Sequence, residues 1–514
     1  MCFAQDWQTV DDRVIRKNRF CYGVKVNKRY VCSGEVDDPK LLDETINLLV
    51  EAVNRILKWR VWDQWWIDSW RQEWESMRDN VERQFRGRYS DVVVNDLLIV
   101  INDYISYIDA FKESWVTDDV GSEIRRLIED LRNGGTEIIV RRTSNSLVSS
   151  IYGKYVSLIV KRPGKGVIVH LDLSDLKATT IKVPDIWGVI EDDHKEFIKI
   201  KKDVLMALKL GFAATDEGVN NGKPTMNTSQ PWQVLLWSLL YPGEISVRIN
   251  AISVNVRDVS MLWYLGANDH TSFKDRVFKI TKNLNDKALL VFMLAAVLGD
   301  GYAGVKKPRI RLVVSASKLD MWRPIFNKLD SMGFKARQDP LRNTFKITYT
   351  SGYAIDLARA MINALPSVLI DLLDALGIKK WLDIKQVANT EVRFRLGESR
   401  VLVGGEAFTV AVSRGSVRLV RRVRDWVEVE KVLEHLKSGY GDYFVSGVRI
   451  HRSGGYLVVA IPARLVKSFD DVKASVVEVL CRKYWRAKDD GKRREIIKAL
   501  SKLVTAGTYP CLSR

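Results

Sequence analysis

The strongest constraint in this sequence is a short pattern that occurs twice. An apolar, helix-forming segment ends in small residues, one carboxylate and a glycine, first over residues 204–218 and again over 287–302. Asp216 and Asp300 occupy the corresponding positions, 84 residues apart. After each copy the hydrophobic pattern predicts two strands, a helix, two strands and a final helix. The sequence therefore predicts an internal repeat of α-β-β-α-β-β-α order.

The second hairpin of the first copy is the least regular part of this pattern. We predict its two strands over residues 244–258 and the closing helix over 259–266. In the second copy the corresponding hairpin is predicted over 335–351 and the closing helix over 352–376.

Both predicted motif helices carry a stripe of small residues that would let two helix backbones approach closely. The stripes consist of Ala207, Gly211 and Thr215 on the first helix and of Ala295 and Gly299 on the second. If the helices cross at these stripes, Asp216 and Asp300 lie side by side at the end of the seam. Two carboxylates this close repel each other and raise one pKa unless a cation neutralises them. Paired Mg²⁺ ions on carboxylates activate water and stabilise the leaving oxygen in phosphodiester hydrolysis.

These residues resemble the motif of the LAGLIDADG homing endonucleases, which reads L-A-G-x-x-D-x-D-G and uses its penultimate Asp as a metal ligand. The second copy matches over Met293–Gly301, with Asp300 at the catalytic position, although the earlier Asp of the motif is missing there. The first copy aligns over Lys209–Glu217, with Asp216 at the catalytic position and Glu217 in place of the closing glycine. A slip of one residue in that alignment would make Glu217 the catalytic residue instead.

The resemblance implies an α+β protein with two pseudo-symmetric αββαββα repeats in its middle. It also implies a monomer that binds double-stranded DNA and hydrolyses it with Mg²⁺ or Mn²⁺ held by Asp216 and Asp300. The family places a basic residue near the scissile phosphates, after the last helix of a repeat. Lys380, beside Lys379, is the match in the second copy, whereas Lys274 is a poor candidate in the first.

The predicted strands of both repeats alternate between apolar and polar residues. The apolar positions can cover the helices, and the polar positions then form a face suited to base edges and phosphates. The candidate nucleic-acid-binding residues are Arg248, Asn250, Asn255 and Arg257 in the first copy, and Lys307, Arg309, Arg311, Lys346 and Thr348 in the second. A sheet face that is merely solvated would show the same alternation, so both interpretations stay open.

The charge is distributed unevenly along the chain. Residues 1–200 hold 30 Lys and Arg against 33 Asp and Glu, residues 201–390 hold 26 against 16, and residues 391–514 hold 25 against 14. The two later parts are therefore expected to contact phosphates, and the basic tail helices could extend that contact. The expected domains are an acidic-to-neutral α+β domain over 1–200, the two repeats over 201–285 and 286–385, and a basic α+β domain over 386–514.

Four tryptophans give the first domain its most distinctive feature. Residues 37–84 show a helical period with Trp59, Trp62, Trp66 and Trp70 on one face. Such a stripe is typical of a packed core or a helix–helix seam. The alternative is a more specific function, in which nucleic-acid bases stack on the indole rings.

Composition excludes several classes of protein. Hydrophobic and charged residues are present in ordinary globular proportions, and no apolar run reaches the roughly 18 residues of a membrane span. The five cysteines form no CxxC pair, so reduced thiols in a cytoplasmic protein are expected rather than a disulfide scaffold. The five histidines show no HExxH spacing, which argues against hydrolytic zinc chemistry.

Three functional hypotheses remain. A Mg²⁺-dependent, site-specific DNA endonuclease leads, because both acidic residues are present. The alternative is a catalytically decayed LAGLIDADG-like protein that binds DNA or RNA as a regulator or splicing factor, and the departure of the first copy from the motif favours it. A third hypothesis is a structural protein whose Trp-rich N-terminal region binds protein partners. The whole chain also resembles a PaRep-type paralogous family of hyperthermophilic archaea, which would fit a mobile element from a thermophile.

Overall fold

The structure is a computed structural model of a mixed α+β protein. It describes residues 9–27, 29–117, 119–143, 146–163, 166–174, 176–189, 198–390, 399–423, 425–453, 456–487 and 489–504. Helices hold 51% of the residues and strands 29%, and the strands form several sheets. Residues 1–390 and 391–514 make up two compact units, each with its own hydrophobic core.

The helices described in the larger unit range from one turn to more than seven turns. They are α1 (Asp12–Ile15), α2 (Pro39–Trp59), α3 (Trp65–Phe85), α4 (Asp91–Thr117), α5 (Val120–Asn133), α6 (Lys202–Ala214), α7 (Pro231–Leu240), α8 (Val277–Thr281), α9 (Asp286–Asp300), α10 (Leu319–Ser331), α11 (Gly352–Asn363), α12 (Ser367–Ala375) and α13 (Lys379–Ala388).

The strands described in this unit are mostly short. They are β1 (Arg19–Val26), β2 (Arg29–Glu35), β3 (Glu137–Arg142), β4 (Ser146–Tyr152), β5 (Ser157–Pro163), β6 (Ile168–Asp172), β7 (Thr179–Val183), β8 (Trp187–Val189), β9 (Ile198–Ile200), β10 (Glu217–Asn220), β11 (Lys223–Thr228), β12 (Gly243–Val254), β13 (Val259–Ala267), β14 (Gly301–Gly304), β15 (Arg309–Ser315), β16 (Arg337–Leu341) and β17 (Thr344–Thr350).

The Trp-rich segment forms two helices rather than one. The Asp38 carboxylate caps α2 by accepting hydrogen bonds from the backbone N–H groups of Lys40 and Leu41, at 2.9 and 3.2 Å. Arg60 adopts the left-handed conformation and ends α2. Trp66 of α3 is buried and packs edge-on against Trp115 of α4, with ring centroids 5.2 Å apart. The stripe therefore joins helices within the core.

One large antiparallel sheet runs across residue 200. Its strand order is β10-β11-β13-β12-β6-β5-β4-β3-β1-β2, and β7 also pairs with β12. Only the pairing of β1 with β3 in this sheet is parallel among the described residues. Strand β12 has β13 on one side and both β6 and β7 on the other. The segments on either side of residue 200 thus share one sheet and one core, although the sequence had placed a domain boundary there.

The first repeat follows the order α6-β10-β11-α7-β12-β13-α8, but its second hairpin differs from the prediction. Residues 244–258, predicted as two strands, lie mainly in the single strand β12. Residues 259–266, predicted as a helix, lie in β13, so that prediction was wrong. From Val259 to Leu265 every second residue of β13 is buried: Val259, Met261, Trp263 and Leu265. This period of two is that of a strand with one covered face.

A bulge in β12 explains why its sequence looked like two strands. The register with β13 shifts between Ile249 and Ala251, which leaves Asn250 as the extra residue. The alternation of apolar residues therefore changes phase at this point without a turn.

The second repeat follows the order α9-β14-β15-α10-β16-β17-α11, as predicted. Its four strands form a separate antiparallel sheet, in the order β14-β15-β17-β16. The closing helix predicted over 352–376 is divided into α11 and α12, because Pro366 cannot continue the first helix. Helix α13 follows and begins at Lys379.

Helices α6 and α9 pack against each other through their small residues. A Cβ atom added to Gly211 would lie 2.4 Å from the Cβ of Ala295 and 2.7 Å from the carbonyl oxygen of Phe292. A Cβ atom on Gly299 would lie 2.4 Å from Oδ2 of Asp216 and 2.7 Å from Oγ1 of Thr215. The spacing of small residues thus brings the two backbones together along the seam that the sequence predicted.

The smaller unit is a five-stranded antiparallel sheet with helices packed on one face. Its elements are β18 (Arg400–Val403), β19 (Glu406–Ser413), β20 (Ser416–Val423), α14 (Trp426–Ser446), β21 (Arg449–Ser453), β22 (Tyr456–Pro462), α15 (Ala463–Ser468), α16 (Asp470–Arg486) and α17 (Asp490–Leu500). The strand order is β18-β19-β20-β22-β21.

One expectation about the cysteines was wrong. Cys21 of β1 and Cys32 of β2 form a disulfide, so these two thiols are not reduced. Disulfides in intracellular proteins are uncommon except in hyperthermophiles, and the pair does not by itself assign a compartment.

Among the described residues no single helix is both long and apolar enough to cross a membrane. The helices α11 and α12 meet at 108°, and only the two taken together have the length and apolar composition of a membrane span.

Candidate active site

Two carboxylates meet where the packed helices α6 and α9 end. Asp300 is the last residue of α9, and Asp216 follows α6 by two residues, directly before β10. The two side chains are close enough for a hydrogen bond between their carboxyl groups. Close approach requires glycine at position 299, because any side chain there would overlap Asp216. The helix seam therefore determines the separation of the acids.

The surroundings of Asp216 favour its protonated form. Burial raises the pKa of Asp216 to about 6, and the charge of Asp300 adds to the rise. A hydrogen bond from Gln233 and the charge of Lys380 act in the opposite direction and lower that pKa. The rise is therefore due first to burial and second to the neighbouring carboxylate of Asp300.

A short chain of hydrogen bonds holds Asp216 in place. Nε2 of Gln233 donates to Oδ2 of Asp216 at 2.5 Å, and the hydroxyl of Thr228 donates to Oε1 of Gln233 at 2.6 Å. Gln233 belongs to the first turn of α7, which Pro231 begins. The sequence pattern did not identify Gln233, because nothing in its spacing distinguishes it from other buried amides.

Two lysines approach the acids from opposite repeats. Nζ of Lys380, at the start of α13, donates to the carbonyl oxygens of Leu298, at 2.9 Å, and Gly299. Burial lowers the pKa of Lys380, and the charges of Asp216 and Asp300 raise it. The structure thus places Lys380 beside both acids, where the resemblance implied a basic residue.

Lys274 occupies a similar place in the first repeat. Its Nζ donates to the carbonyl oxygen of Glu217, the residue after Asp216. Burial is the main cause that lowers the pKa of Lys274, the charge of Lys318 lowers it further, and Glu217, Asp216 and Asp300 raise it. The sequence analysis named Lys274 only as a poor candidate for this role.

Glu217, the first residue of β10, is buried in the core. It is only 1% exposed, and its Oε2 accepts hydrogen bonds from the Tyr241 hydroxyl at 2.7 Å and from Nε1 of Trp237 at 3.3 Å. Burial raises its pKa, while these hydrogen bonds and Lys274 lower it. Asp216 lies in the turn before β10 and bonds to Gln233, whereas Glu217 begins the strand and bonds to Tyr241 and Trp237.

The two sheets of the repeats each present one arginine stacked on a tyrosine. The guanidinium of Arg248 lies 4.6 Å from the ring centre of its cross-strand neighbour Tyr264, and it donates to the carbonyl oxygen of Ser174 at 3.1 Å. The guanidinium of Arg311 lies 5.7 Å from the ring centre of its cross-strand neighbour Tyr302. Stacking on an aromatic ring restricts the guanidinium and keeps its donors available.

The other candidate nucleic-acid-binding residues divide into two groups. Arg309, Arg311, Lys346 and Thr348 share one face of the second sheet, where Arg311 pairs directly with Thr348. Lys307 lies in the turn between β14 and β15, close to this face.

In the first repeat the candidates are scattered. Asn250 is the bulged residue of β12, and its carbonyl oxygen accepts a hydrogen bond from the N–H of Leu173. Asn255 and Arg257 belong to the turn after β12, where Asn255 bonds to Asp258 and to the indole of Trp59. These three do not form one surface with Arg248.

A large cavity opens beside Asp216. Its volume is about 1130 Å³, and its wall includes Asp216, Gln233 and Lys380. One side is formed by α3, through Glu73, Ser76, Met77 and Asn80. Burial raises the pKa of Glu73. No motif in the sequence predicts that α3 lies beside the acids, because the face that it turns to the cavity carries none.

Fold and site together define an α+β protein with a paired-carboxylate site at the ends of two crossing helices. No protein-family model matches the chain, and no curated protein matches it. Among solved structures, the chain is similar to full-length DUF199/WhiA from Thermatoga maritima, at 15% identity, covering 37% of this chain and 63% of that one. The chain thus spans less than two thirds of that protein. The TM-score of 0.22 is too low to carry an argument about fold or function.

Proposed function

We propose that residues 201–390 bind double-stranded DNA and hydrolyse its phosphodiester bonds with the help of Mg²⁺ or Mn²⁺. The observation that carries the proposal is the contact between Asp216 and Asp300 at the ends of two helices packed through glycine. A carboxylate pair with a raised pKa, beside a cavity and beside cationic side chains, is more typical of a functional site than of a structural ion pair.

The donor set fits a hard divalent cation. Carboxylate oxygens are the ligands that Mg²⁺ prefers, and the raised pKa of Asp216 reflects repulsion and burial that such a cation would relieve. Asp216 and Asp300 would hold the ion. When bound, it would supply an activated water and charge stabilisation at the leaving oxygen.

The side chains of this protein have separable roles in the proposal. Gln233 fixes the orientation of the Asp216 carboxylate through its 2.5 Å hydrogen bond. Lys380 and Lys274 place positive charge near the acids, where the phosphate would acquire negative charge during hydrolysis. The arginines stacked on Tyr264 and Tyr302 would contact the DNA backbone on either side.

The family resemblance is part of this proposal. We propose that the two repeats are LAGLIDADG-like halves of one monomer, with Asp216 rather than Glu217 as the acid of the first half. Glu217 supports this choice, because it is buried among Tyr241 and Trp237 and hydrogen-bonds to both.

A protein that binds DNA or RNA and no longer cuts is the second candidate. The position after Asp216 favours it, since Glu217 replaces the glycine that closes the motif and its carboxylate is used inside the core. This candidate keeps the basic sheet faces and loses only the metal chemistry.

The experiment that separates the two compares Asp300→Asn with wild-type protein and with Asp356→Asn, an exposed acid on α11. We expect Asp300→Asn to reduce Mg²⁺-dependent cleavage of duplex DNA by roughly a hundredfold or more, and to leave binding intact. Asp356→Asn should behave like the wild type. Wild-type protein that binds a duplex specifically and leaves it intact with Mg²⁺ and Mn²⁺ would establish the second candidate.

A further inference from the structure

The open face of the sheet in the smaller unit has an unusual arrangement of charge. Helices cover one face through buried residues such as Phe408, Val410 and Leu419. The residues between these point to the other face, on which four arginines are exposed: Arg400, Arg418, Arg422 and Arg449. Among the described residues of this face there is no Asp or Glu.

The four arginines surround one residue, Val420. Arg418 and Arg422 lie two residues before and after it on β20. The register across the sheet joins Arg400, Thr409, Val420, Ala460 and Arg449 in one continuous row. Arg400 and Arg449 are therefore two strands away from Val420 on either side. We call this set of four the arginine diamond.

The contrast with Arg421 shows that acids are available only on the covered side. Nη1 of Arg421 forms an ion pair with Glu406 at 2.5 Å, and His435 contacts the same carboxylate at 2.7 Å. Arg421 alternates with Arg422 along β20, so Glu406 lies on the helix side. For the arginine diamond the structure shows neither an ion pair nor a side-chain hydrogen bond among the described residues.

The floor between the arginines is lined by small side chains. Thr409, Val420 and Ala460 occupy the middle of the row, and a depression of about 510 Å³ lies between Arg400 and Arg422. The row itself contains no aromatic ring, and the exposed Tyr456 of this face lies four residues from Ala460 along β22. Single-stranded nucleic acids stack successive bases on several rings, and the described part of this face offers no such series. Adjacent strands are about 4.8 Å apart, so the diamond spans about 19 Å across the sheet and about 13 Å along β20.

We propose that the arginine diamond is a second DNA-binding surface of this protein, which contacts the phosphate backbone of duplex DNA without reading its sequence. Charge complementarity selects the partner, since four exposed guanidinium groups with no neighbouring acid match a dense row of phosphates. The span is comparable with a major groove about 12 Å wide, so arginines on opposite sides of Val420 can reach the two backbones that border one groove.

The test uses the full-length chain with EDTA, so that cleavage plays no part. The diamond variant combines Arg400→Gln, Arg418→Gln, Arg422→Gln and Arg449→Gln. A matched control removes four exposed charges from the same unit outside this face and outside the basic tail helices: Lys431→Gln, Arg452→Gln, Arg464→Gln and Lys467→Gln. Arg452 lies on β21 like Arg449 but points to the other face. Both variants lower the net charge of the protein from +18 to +14.

Affinity for a random-sequence duplex is measured against salt concentration. We expect the diamond variant to lower the slope of log K against log[salt] by about 0.9 for each arginine that meets a phosphate, about 2–4 in total. The control should keep most of the wild-type slope, and both variants should melt like the wild type. Equal losses in the two variants, an unchanged slope in the diamond variant, or tighter binding of the corresponding single strand would each overturn the proposal. Because no cutting is measured, an inactive nuclease would leave this outcome unaffected.

Discussion

At the scale of single residues, the pair Asp216 and Asp300 carries a cost that a cation would remove. Burial and the neighbouring carboxylate raise the pKa of Asp216 from 3.8 to about 6. The folded protein therefore holds this proton more tightly than the unfolded chain does. The free energy of unfolding falls as the pH rises from 3.8 through about 6, and above that range the ionised pair destabilises the fold.

Asp216→Asn removes this cost, because the amide keeps the shape and carries no charge. We expect the variant to be more stable than the wild type by about 1–2 kcal/mol at pH 7.5, an order of magnitude that follows from the pKa difference reduced for solvent screening. The advantage should vanish below about pH 4, where both proteins are protonated. Thermal unfolding at the two pH values measures it. Millimolar Mg²⁺ should raise the Tm of the wild type only, and a variant stabilised equally at both pH values would contradict the account.

The two lysines allow a test of the division of labour between the halves of the site. The ammonium group of Lys274 binds a carbonyl oxygen just after α6, and that of Lys380 binds carbonyl oxygens at the end of α9. Each lysine is therefore expected to serve hydrolysis of one DNA strand. Lys274→Met or Lys380→Met should slow the hydrolysis of the corresponding strand by roughly tenfold to a hundredfold, so that nicked plasmid accumulates. The ratio of nicked to linear DNA is the readout. Wild-type ratios in both variants would remove the lysines from the mechanism.

At the scale of elements, the seam between α6 and α9 depends on missing side chains. In an isolated helix Ala is more favourable than Gly by about 1 kcal/mol, so a glycine at position 211 is retained for packing. Phe292 and Ala295 of α9 occupy the space that a Cβ would need. This close approach also holds the two acids together, since both follow directly from the ends of these helices.

Gly211→Ala is therefore expected to destabilise the larger unit by about 1–3 kcal/mol despite the better helix propensity of Ala. Gly352→Ala is the matched control, because nothing lies within 4 Å of the added Cβ in the first turn of α11. The control should be neutral or slightly stabilising. Denaturant unfolding of both variants decides the matter, and a stabilised Gly211→Ala protein would show that the helices are less closely packed.

Secondary structure was predicted correctly where one hydrophobic period dominates a segment, and it was predicted wrongly for residues 259–266. The segments of α9 and of the hairpin β16–β17 each show one clear pattern. Residues 259–266, predicted as a helix, carry the large side chains Leu262 and Tyr264 between the buried positions of the strand. Their side chains extend the strand pattern without covering a helix face, and only the pairing of β13 with β12 and β11 selects the strand.

At the scale of the whole molecule, the Trp-rich region belongs to the same core as the first repeat. Trp74 of α3 stacks on Tyr104 of α4, with ring centres 4.7 Å apart, and both pack against Trp263 of β13. The Tyr104 hydroxyl also lies 2.6 Å from that of Ser238 in α7. Together with β6 and β7 beside β12, these contacts make residues 1–200 part of the support of the site.

A fragment of residues 201–390 should therefore fail to fold as an independent unit. Removal of residues 1–200 exposes the Trp263 face and an edge of β12, which favours aggregation. A fragment of residues 1–390 should fold, since it has a continuous core. Gel filtration and binding of a hydrophobic dye compare the two. A monomeric, cooperatively folding 201–390 fragment would show that the shared sheet is dispensable.

The sequence alone determined the features that depend on local spacing. A stripe of small residues, followed by a carboxylate, predicts a close helix pair with Asp216 and Asp300 at its end wherever the rest of the chain goes. The basic balance of residues 201–514 is likewise independent of the fold.

Only the tertiary structure decided which groups meet these acids. Strand β10 turns Glu217 into the core, α7 delivers Gln233, and the ends of both repeats bring in Lys274 and Lys380. The shared sheet brings α3 to the cavity wall in the same way. Gln233, Lys274 and Lys380 lie between 17 and 164 residues from Asp216 in sequence. At such separations no helical or strand period relates two residues, and proximity comes only from the packing of the whole unit.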